Sequence, residues 1–145
     1  MMFKETERLY SNDVTALEAW EILSNQESAQ LVDVRTQAEW HYVGKPDLRS
    51  LHKNVLFIEW RLLPSMELNS KFAPLLSIQS PNKSAPLLFL CRTGIRSQEA
   101  AIAATALGYK ECYNIAGGFE GELNEHKHRG HTSGWKASKL AWLQD

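Results

Sequence analysis

The run Pro86-Leu87-Leu88-Phe89-Leu90-Cys91 is apolar without interruption. It gives way at once to the polar segment Arg92-Thr93-Gly94-Ile95-Arg96-Ser97, and then to an alanine-rich stretch from Gln98 to Leu107. A short apolar run bounded by turn residues marks a strand covered on both faces, and alanine is the strongest helix former. Gly108 fits the stop of that helix. A buried strand feeding a helix through a tight polar loop leaves few architectures open, because such units stack into α/β layers.

The same alternation runs upstream. Val14, Leu17, Trp20 and Leu23 recur at near-helical spacing behind Ser11, Asn12 or Asp13 as cap, which predicts a helix from about Asp13 to Asn25. Gln30 to Val34 reads as a strand and Thr36 to Tyr42 as a short helix behind a threonine cap. Gly44-Lys45-Pro46-Asp47 reads as a turn and Asn54 to Ile58 as a strand. Leu68 to Ile78 is expected to be helical, with Pro74 kinking it or delaying its start. Ser80 to Ala85 is expected to be a loop, and Cys112 to Ile115 a last strand before Gly117-Gly118. The fold class expected is α/β with a largely parallel sheet, in which ligands bind beyond the C-terminal strand ends.

The chain's 145 residues suit one domain. Sixteen basic against seventeen acidic side chains give a net charge of −1, which disfavours an electrostatic nucleic-acid binder. A hydrophobic content of 43% with 23% charged residues disfavours a disordered chain. Two cysteines build neither a disulfide framework nor a four-cysteine metal site. Lys4, Glu5, Glu7 and Arg8 interrupt the apolar stretch a signal peptide requires, and the apolar runs are too short to span a bilayer. A cytoplasmic protein with reduced thiols is the expectation. Residues 1–120 are expected to form the domain. Residues 121–145 are expected to be an extension packed on it through Trp135, Leu140 and Trp142.

Cys91 and the loop behind it carry the chemistry. A cysteine closing an apolar strand is most often a small buried hydrophobe; two arginines and a glycine directly after it favour a functional reading. The strand-loop-helix context brings the amides of the loop close to a helix N-terminus, where backbone N–H groups and the helix dipole favour an anion. A thiol there gives up its proton more readily than a free one. Arg92 and Arg96 keep their charge at neutral pH. Gly94 permits a positive φ or a close backbone approach.

In this order the motifs resemble those of the single-domain rhodanese-like sulfurtransferases. Leu31-Val32-Asp33-Val34-Arg35 with Glu39-Trp40 resembles the family's early strand and helix. Cys91 to Ser97 resembles its active-site loop. Ala101 to Gly108, Asn114 and Gly117-Gly118-Phe119 resemble its closing helix, strand and glycine turn. The likeness runs from about Val14 to Phe119. Tyr42-Val43-Gly44-Lys45-Pro46-Asp47-Leu48 stands where many relatives have Gly-His-Ile-Pro-Gly, so the path of that loop is expected to differ.

The resemblance implies a three-layer domain, a mostly parallel sheet flanked by helices, and sulfur transfer without a metal or organic cofactor. Cys91 would take the outer sulfur of a donor such as thiosulfate as a persulfide and yield it to a thiophilic acceptor, either a small molecule or a protein thiol. Arg92, Thr93, Gly94, Ile95, Arg96 and Ser97 would bind the substrate: the amides stabilise charge, the arginines hold or steer an anionic donor, Thr93 and Ile95 shape the wall, and Ser97 caps the following helix. Two other readings stand beside this one. A rhodanese-like binding or regulatory module without turnover commonly lacks the cysteine that is present here. Cysteine phosphatases and arsenate reductases place five residues between Cys and Arg, whereas four separate Cys91 from Arg96.

Other candidates favour plainer roles. Cys112 is expected in the core. Asp33, Arg35 and Glu39 are expected to form a network bracing the strand end, since interior charges must be paired. His126, His128 and His131 lack metal-ligand spacing and a nearby cysteine, so a polar surface segment is expected. Donor, acceptor and oligomeric state are not legible.

Overall fold

A computed structural model of the chain describes residues 9–145. The charged residues Lys4, Glu5, Glu7 and Arg8, on which the reading of the N-terminal segment rests, lie outside the described residues. The elements follow as β1 (Asn12–Val14), α1 (Ala16–Asn25), β2 (Gln30–Asp33), α2 (Gln37–Tyr42), β3 (Lys45–Pro46), β4 (Leu56–Phe57), β5 (Arg61–Leu62) and β6 (Glu67–Leu68). Then come α3 (Phe72–Gln79), β7 (Leu87–Leu90), α4 (Ile95–Ala106), β8 (Cys112–Ile115), α5 (Gly134–Ala137) and β9 (Trp142–Leu143).

Five strands form one sheet in the order β1-β8-β7-β2-β4, and every neighbouring pair is parallel. The middle strand, β7, is buried at all of Leu87 to Leu90. Side chains alternate across a strand. Leu87, Phe89 and Cys91 therefore join one core with Phe72 and Leu76 of α3 and Ala100, Ala101 and Ala104 of α4. Leu88 and Leu90 join the other core, with Ala19 and Leu23 of α1, Phe119, and Trp135 of α5. The small alanines let α4 lie close to the sheet. The result is the expected α/β arrangement, a parallel sheet with helices on both faces.

Helix starts account for most differences from the sequence reading. Residues 12–14 form the short edge strand β1 rather than a helix start. The cap of α1 is Thr15, whose side chain accepts from the Glu18 amide while Glu18 accepts from the Thr15 amide. Leu17 is consequently 54% exposed, and the buried stripe is Ala16, Ala19 and Leu23. Thr36 caps α2 as expected, with the same reciprocal pairing to Glu39. In α3 the start is late: Pro74 occupies the first turn, where an amide has no intrahelical acceptor to lose. Lys45–Pro46, expected as part of a turn, pairs antiparallel with β9.

The C-terminal segment is tied to the glycine turn after β8. Trp135 N–H donates to the Gly118 carbonyl at 2.8 Å, and Lys136 N–H to that of Phe119 at 3.2 Å. The Trp135 ring is fully buried and meets Trp20 edge to face. Trp142 stays 39% exposed, with Lys136 Nζ 4.0 Å above its ring. Among the described residues no helix is long and apolar enough to cross a membrane.

Candidate active site

Cys91 directly follows β7, the middle strand of the sheet, and is only 1% exposed. Gly94, at φ 115°, caps α4 in a backbone conformation that L side chains rarely adopt. This turn brings its own amide to 3.0 Å from Cys91 Sγ, an N–H aimed at the sulfur. The helix starts at Ile95, so Ile95, Arg96 and Ser97 belong to its first turn rather than to a loop before it. Sulfur and helix N-terminus therefore share one compact corner.

That start changes the role of Ser97. It does not cap α4. Its side chain is fully buried, and its Oγ lies 3.1 Å from Cys91 Sγ and 2.5 Å from Asn114 Oδ1. Asn114 Nδ2 donates to Asp13 Oδ1 at 3.0 Å, and Tyr10 O–H donates to the same oxygen at 2.8 Å. The contact follows from register: Asp13 and Asn114 are paired positions of the parallel strands β1 and β8. Asn114 enters the sequence reading only through the resemblance, and Asp13 only as a helix cap. The available signal was a lone amide in the otherwise apolar strand Cys112-Tyr113-Asn114-Ile115.

The two arginines separate. Arg92 is exposed. Arg96 makes a bidentate pair with Glu39 of α2, at 2.7 Å to Oε1 and 2.9 Å to Oε2. Burial alone would raise the Glu39 pKa. The hydrogen bonds from Arg96 and the Thr36 amide outweigh it and hold the carboxyl at about 2. Burial likewise opposes the charge on Arg96, and the contact with Glu39 overrides it and strengthens its hold on the proton.

Arg35 and Glu39 do not pair with each other, contrary to the expected single network. Arg35, fully buried, chelates Asp33 at 2.7 to 3.2 Å, donates to the Gly44 carbonyl at 2.9 Å and lies 4.2 Å over the Phe119 ring. The bracing is thus split into two pairs, the fully buried Asp33–Arg35 and the partly buried Glu39–Arg96.

Arg92 and Arg96 line a cleft of about 520 Å³ with Glu39, Glu120 and the apolar side chains of Tyr42, Val43, Leu63 and Met66. Thr93 is half-buried and Ile95 is 70% exposed. Behind the loop, Phe119 N–H donates to the Cys91 carbonyl at 2.8 Å and Glu120 N–H to that of Arg92 at 3.0 Å. Gly118 makes this possible: a Cβ there would stand 2.5 Å from the Cys91 and Arg92 carbonyl oxygens. Cys112 is fully buried, and burial pushes its thiol pKa up. Among the described residues no group of three or more His, Cys, Asp or Glu side chains is placed to hold a metal ion.

The family model described as the STR4 middle domain matches residues 12–145. The chain is 42% identical to the uncharacterized protein RC0915 of Rickettsia conorii, over 90% of this chain and 95% of that one. The crystal structure of Rv0390 from M. tuberculosis superposes with a TM-score of 0.86 at 44% identity, covering 94% of this chain and 99% of that one. Two more distant structures share the fold. The polysulfide-sulfur transferase homodimer of Wolinella succinogenes has a TM-score of 0.62 at 20% identity, covering 94% of this chain and 80% of that one. A rhodanese-like domain protein of Staphylococcus aureus has a TM-score of 0.54 at 23% identity, covering 74% and 87%. The chain has the rhodanese-like fold and belongs to the family described as the STR4 middle domain.

Proposed function

We propose that the protein is a sulfurtransferase that carries sulfane sulfur as a persulfide on Cys91. The observation that carries this reading is the Gly94 amide 3.0 Å from Cys91 Sγ at the first turn of α4, with the Ser97 hydroxyl beside it. A backbone N–H aimed at a sulfur is what a thiolate nucleophile needs.

In this reading the Cys91 thiolate attacks the outer sulfur of a donor such as thiosulfate. The new S–S bond forms as the bond to the sulfonate sulfur breaks, and sulfite leaves with the electron pair. The terminal sulfur of the Cys91 persulfide then carries the negative charge. A thiophilic acceptor, a small molecule or a protein thiol, attacks that sulfur and returns the Cys91 thiolate. Of the two arginines that line the cleft, Arg92 has no carboxylate partner among the described residues, and it meets an anionic donor. Arg96, matched by Glu39, shapes the cleft more than it charges it. The loop residues 92–97 form the substrate-binding wall, and no metal or organic cofactor takes part. A reduced thiol suits a reducing compartment, hence the cytoplasm. Residues 1–120 with the packed segment 121–145 act as one unit.

Intact mass after incubation with thiosulfate or inorganic polysulfide tests the reading. The expected result is a gain of one sulfur atom, absent in Cys91→Ser and removed by cyanide. No gain from either donor in the folded protein would overturn it.

A further inference from the structure

The hydroxyl of Ser97 has one proton and two acceptors. Cys91 Sγ lies 3.1 Å away and Asn114 Oδ1 2.5 Å away. The amide cannot choose its own orientation. Its Nδ2 is held by the Asp13 carboxylate, which only accepts, so Oδ1 must face Ser97. All three side chains are tied to rigid elements, and Ser97 and Asn114 are shielded from water at 0% and 4% exposure.

The consequence depends on where the charge sits. With a protonated sulfur the chain closes: S–H donates to Ser97 Oγ, and Ser97 O–H donates to Asn114 Oδ1. An unloaded thiolate breaks this order. If Ser97 turns to the sulfur, Oγ and Oδ1 face each other without a proton between them. If it stays on Asn114, a lone pair faces the charged sulfur. In the persulfide the charge moves to the outer sulfur, Sγ becomes a neutral disulfide-type atom, and Ser97 keeps its bond to Asn114 without conflict.

We propose that Asn114, oriented by Asp13, is a positioning residue that withholds the Ser97 proton from the unloaded Cys91 thiolate and so tilts the site toward its sulfur-loaded state. The loaded state is that of the sulfur-transfer reading, on which this part rests. Among the described residues the charged and titratable groups around the corner are Arg92 and Arg96 on the loop and α4, Asp33 and Arg35 at the end of β2, Glu39 on α2, Glu120 after the glycine turn, and Asp13 with Tyr10 at and just before β1.

The test is the pH profile of iodoacetamide alkylation at Cys91, in a Cys112→Ser background that leaves one thiol. Asn114→Ala frees Ser97 to donate to the thiolate, so the midpoint should fall by about one pH unit, a tenfold change for a hydrogen bond to a charged group. Asp13→Ala, at an exposed position, releases the amide to turn and should move the midpoint the same way. In a Ser97→Ala background Asn114→Ala should move nothing, and Asp13→Ala there reads the bare loss of a carboxylate. At pH above the midpoint, the ratio of loaded to unloaded Cys91 at a fixed ratio of thiosulfate to sulfite should fall about tenfold in Asn114→Ala. Midpoints that stay or rise in folded Asn114→Ala and Asp13→Ala, or that move equally without Ser97, overturn the proposal. The alkylation needs no sulfur donor. A wild type that never loads therefore sinks the sulfur-transfer reading by itself, whatever the midpoints do.

Discussion

The Arg96 guanidinium lies edge-on to the Glu39 carboxylate, its two terminal nitrogens 2.7 and 2.9 Å from the two oxygens. Such a fork holds both partners in one geometry. It joins the first turn of the helix after Cys91 to the helix after β2, and both partners line the cleft.

Stability should report this pair. Glu39 has its pKa depressed to about 2 from an ordinary 4.5. Its contribution is therefore fully present above the unfolded value and is lost as pH falls through about 2. The difference is worth roughly 3 kcal/mol at most. Urea unfolding of Glu39→Gln against wild type should show a deficit of about 1–3 kcal/mol at pH 7 that shrinks steadily below pH 4. A deficit independent of pH would assign the loss to packing instead.

The same substitution should act oppositely on substrate. Two cations and two carboxylates, Arg92, Arg96, Glu39 and Glu120, share the cleft wall. Removing one carboxylate leaves Arg96 unmatched, so the KM for thiosulfate should fall several-fold in Glu39→Gln at low salt. Arg92→Gln should raise it about three- to tenfold, and the effect should fade as ionic strength shortens the reach of the exposed charge. Equal effects at low and high salt would remove Arg92 from the electrostatic role.

Cys112→Ser should leave sulfur loading intact. Cys112 pairs in register with Leu87 at the start of β7, whereas Cys91 lies four residues further along, about 13 Å away at the strand rise. A disulfide needs Cα atoms within about 7 Å. Burial also holds the Cys112 thiol protonated. Loss of loading in a folded Cys112→Ser protein, or a Cys91–Cys112 disulfide in a peptide map, would contradict this.

The layered fold and the corner at Cys91 were legible because both are written as local patterns. The apolar run before Cys91 can only be a covered strand, and the alanines after it only a close-packed helix. The roles of Ser97 and Arg96 were not legible in that way. A glycine in the left-handed region starts α4 at Ile95, earlier than the polar character of residues 92–97 suggests, and this turns Ser97 from a cap into a partner of the sulfur. Asp13 reads as a helix cap in the sequence because three residues of edge strand, two of them solvent-facing, carry no periodicity that could outweigh a helical spacing beginning at Val14. Its contact with Asn114 joins residues 101 positions apart through strand register, which a linear pattern does not express.

Gly118→Ala should damage fold and site together. The new Cβ would meet backbone atoms of Cys91 and Arg92 at 2.5 Å, and φ at this position is 60°. Backbone cannot yield as a side-chain tip can, so a loss of about 2–4 kcal/mol is expected in chemical unfolding, with loading lost at temperatures where the variant remains folded. Gly130→Ala also meets a positive φ, 87°, but its nearest atom is a lysine side-chain carbon at 3.9 Å, so it should lose only the backbone strain and keep loading.

The docking of Gly134 and Trp135 onto the glycine turn has a consequence in time as well as in space. The turn that supports the Cys91 carbonyl is itself supported by residues more than 40 positions downstream of the cysteine. During synthesis the strand, the loop and α4 emerge first, and the corner stays unbuttressed until the segment around Trp135 has cleared the ribosome. Cys91 is thus made well before the segment that secures its corner.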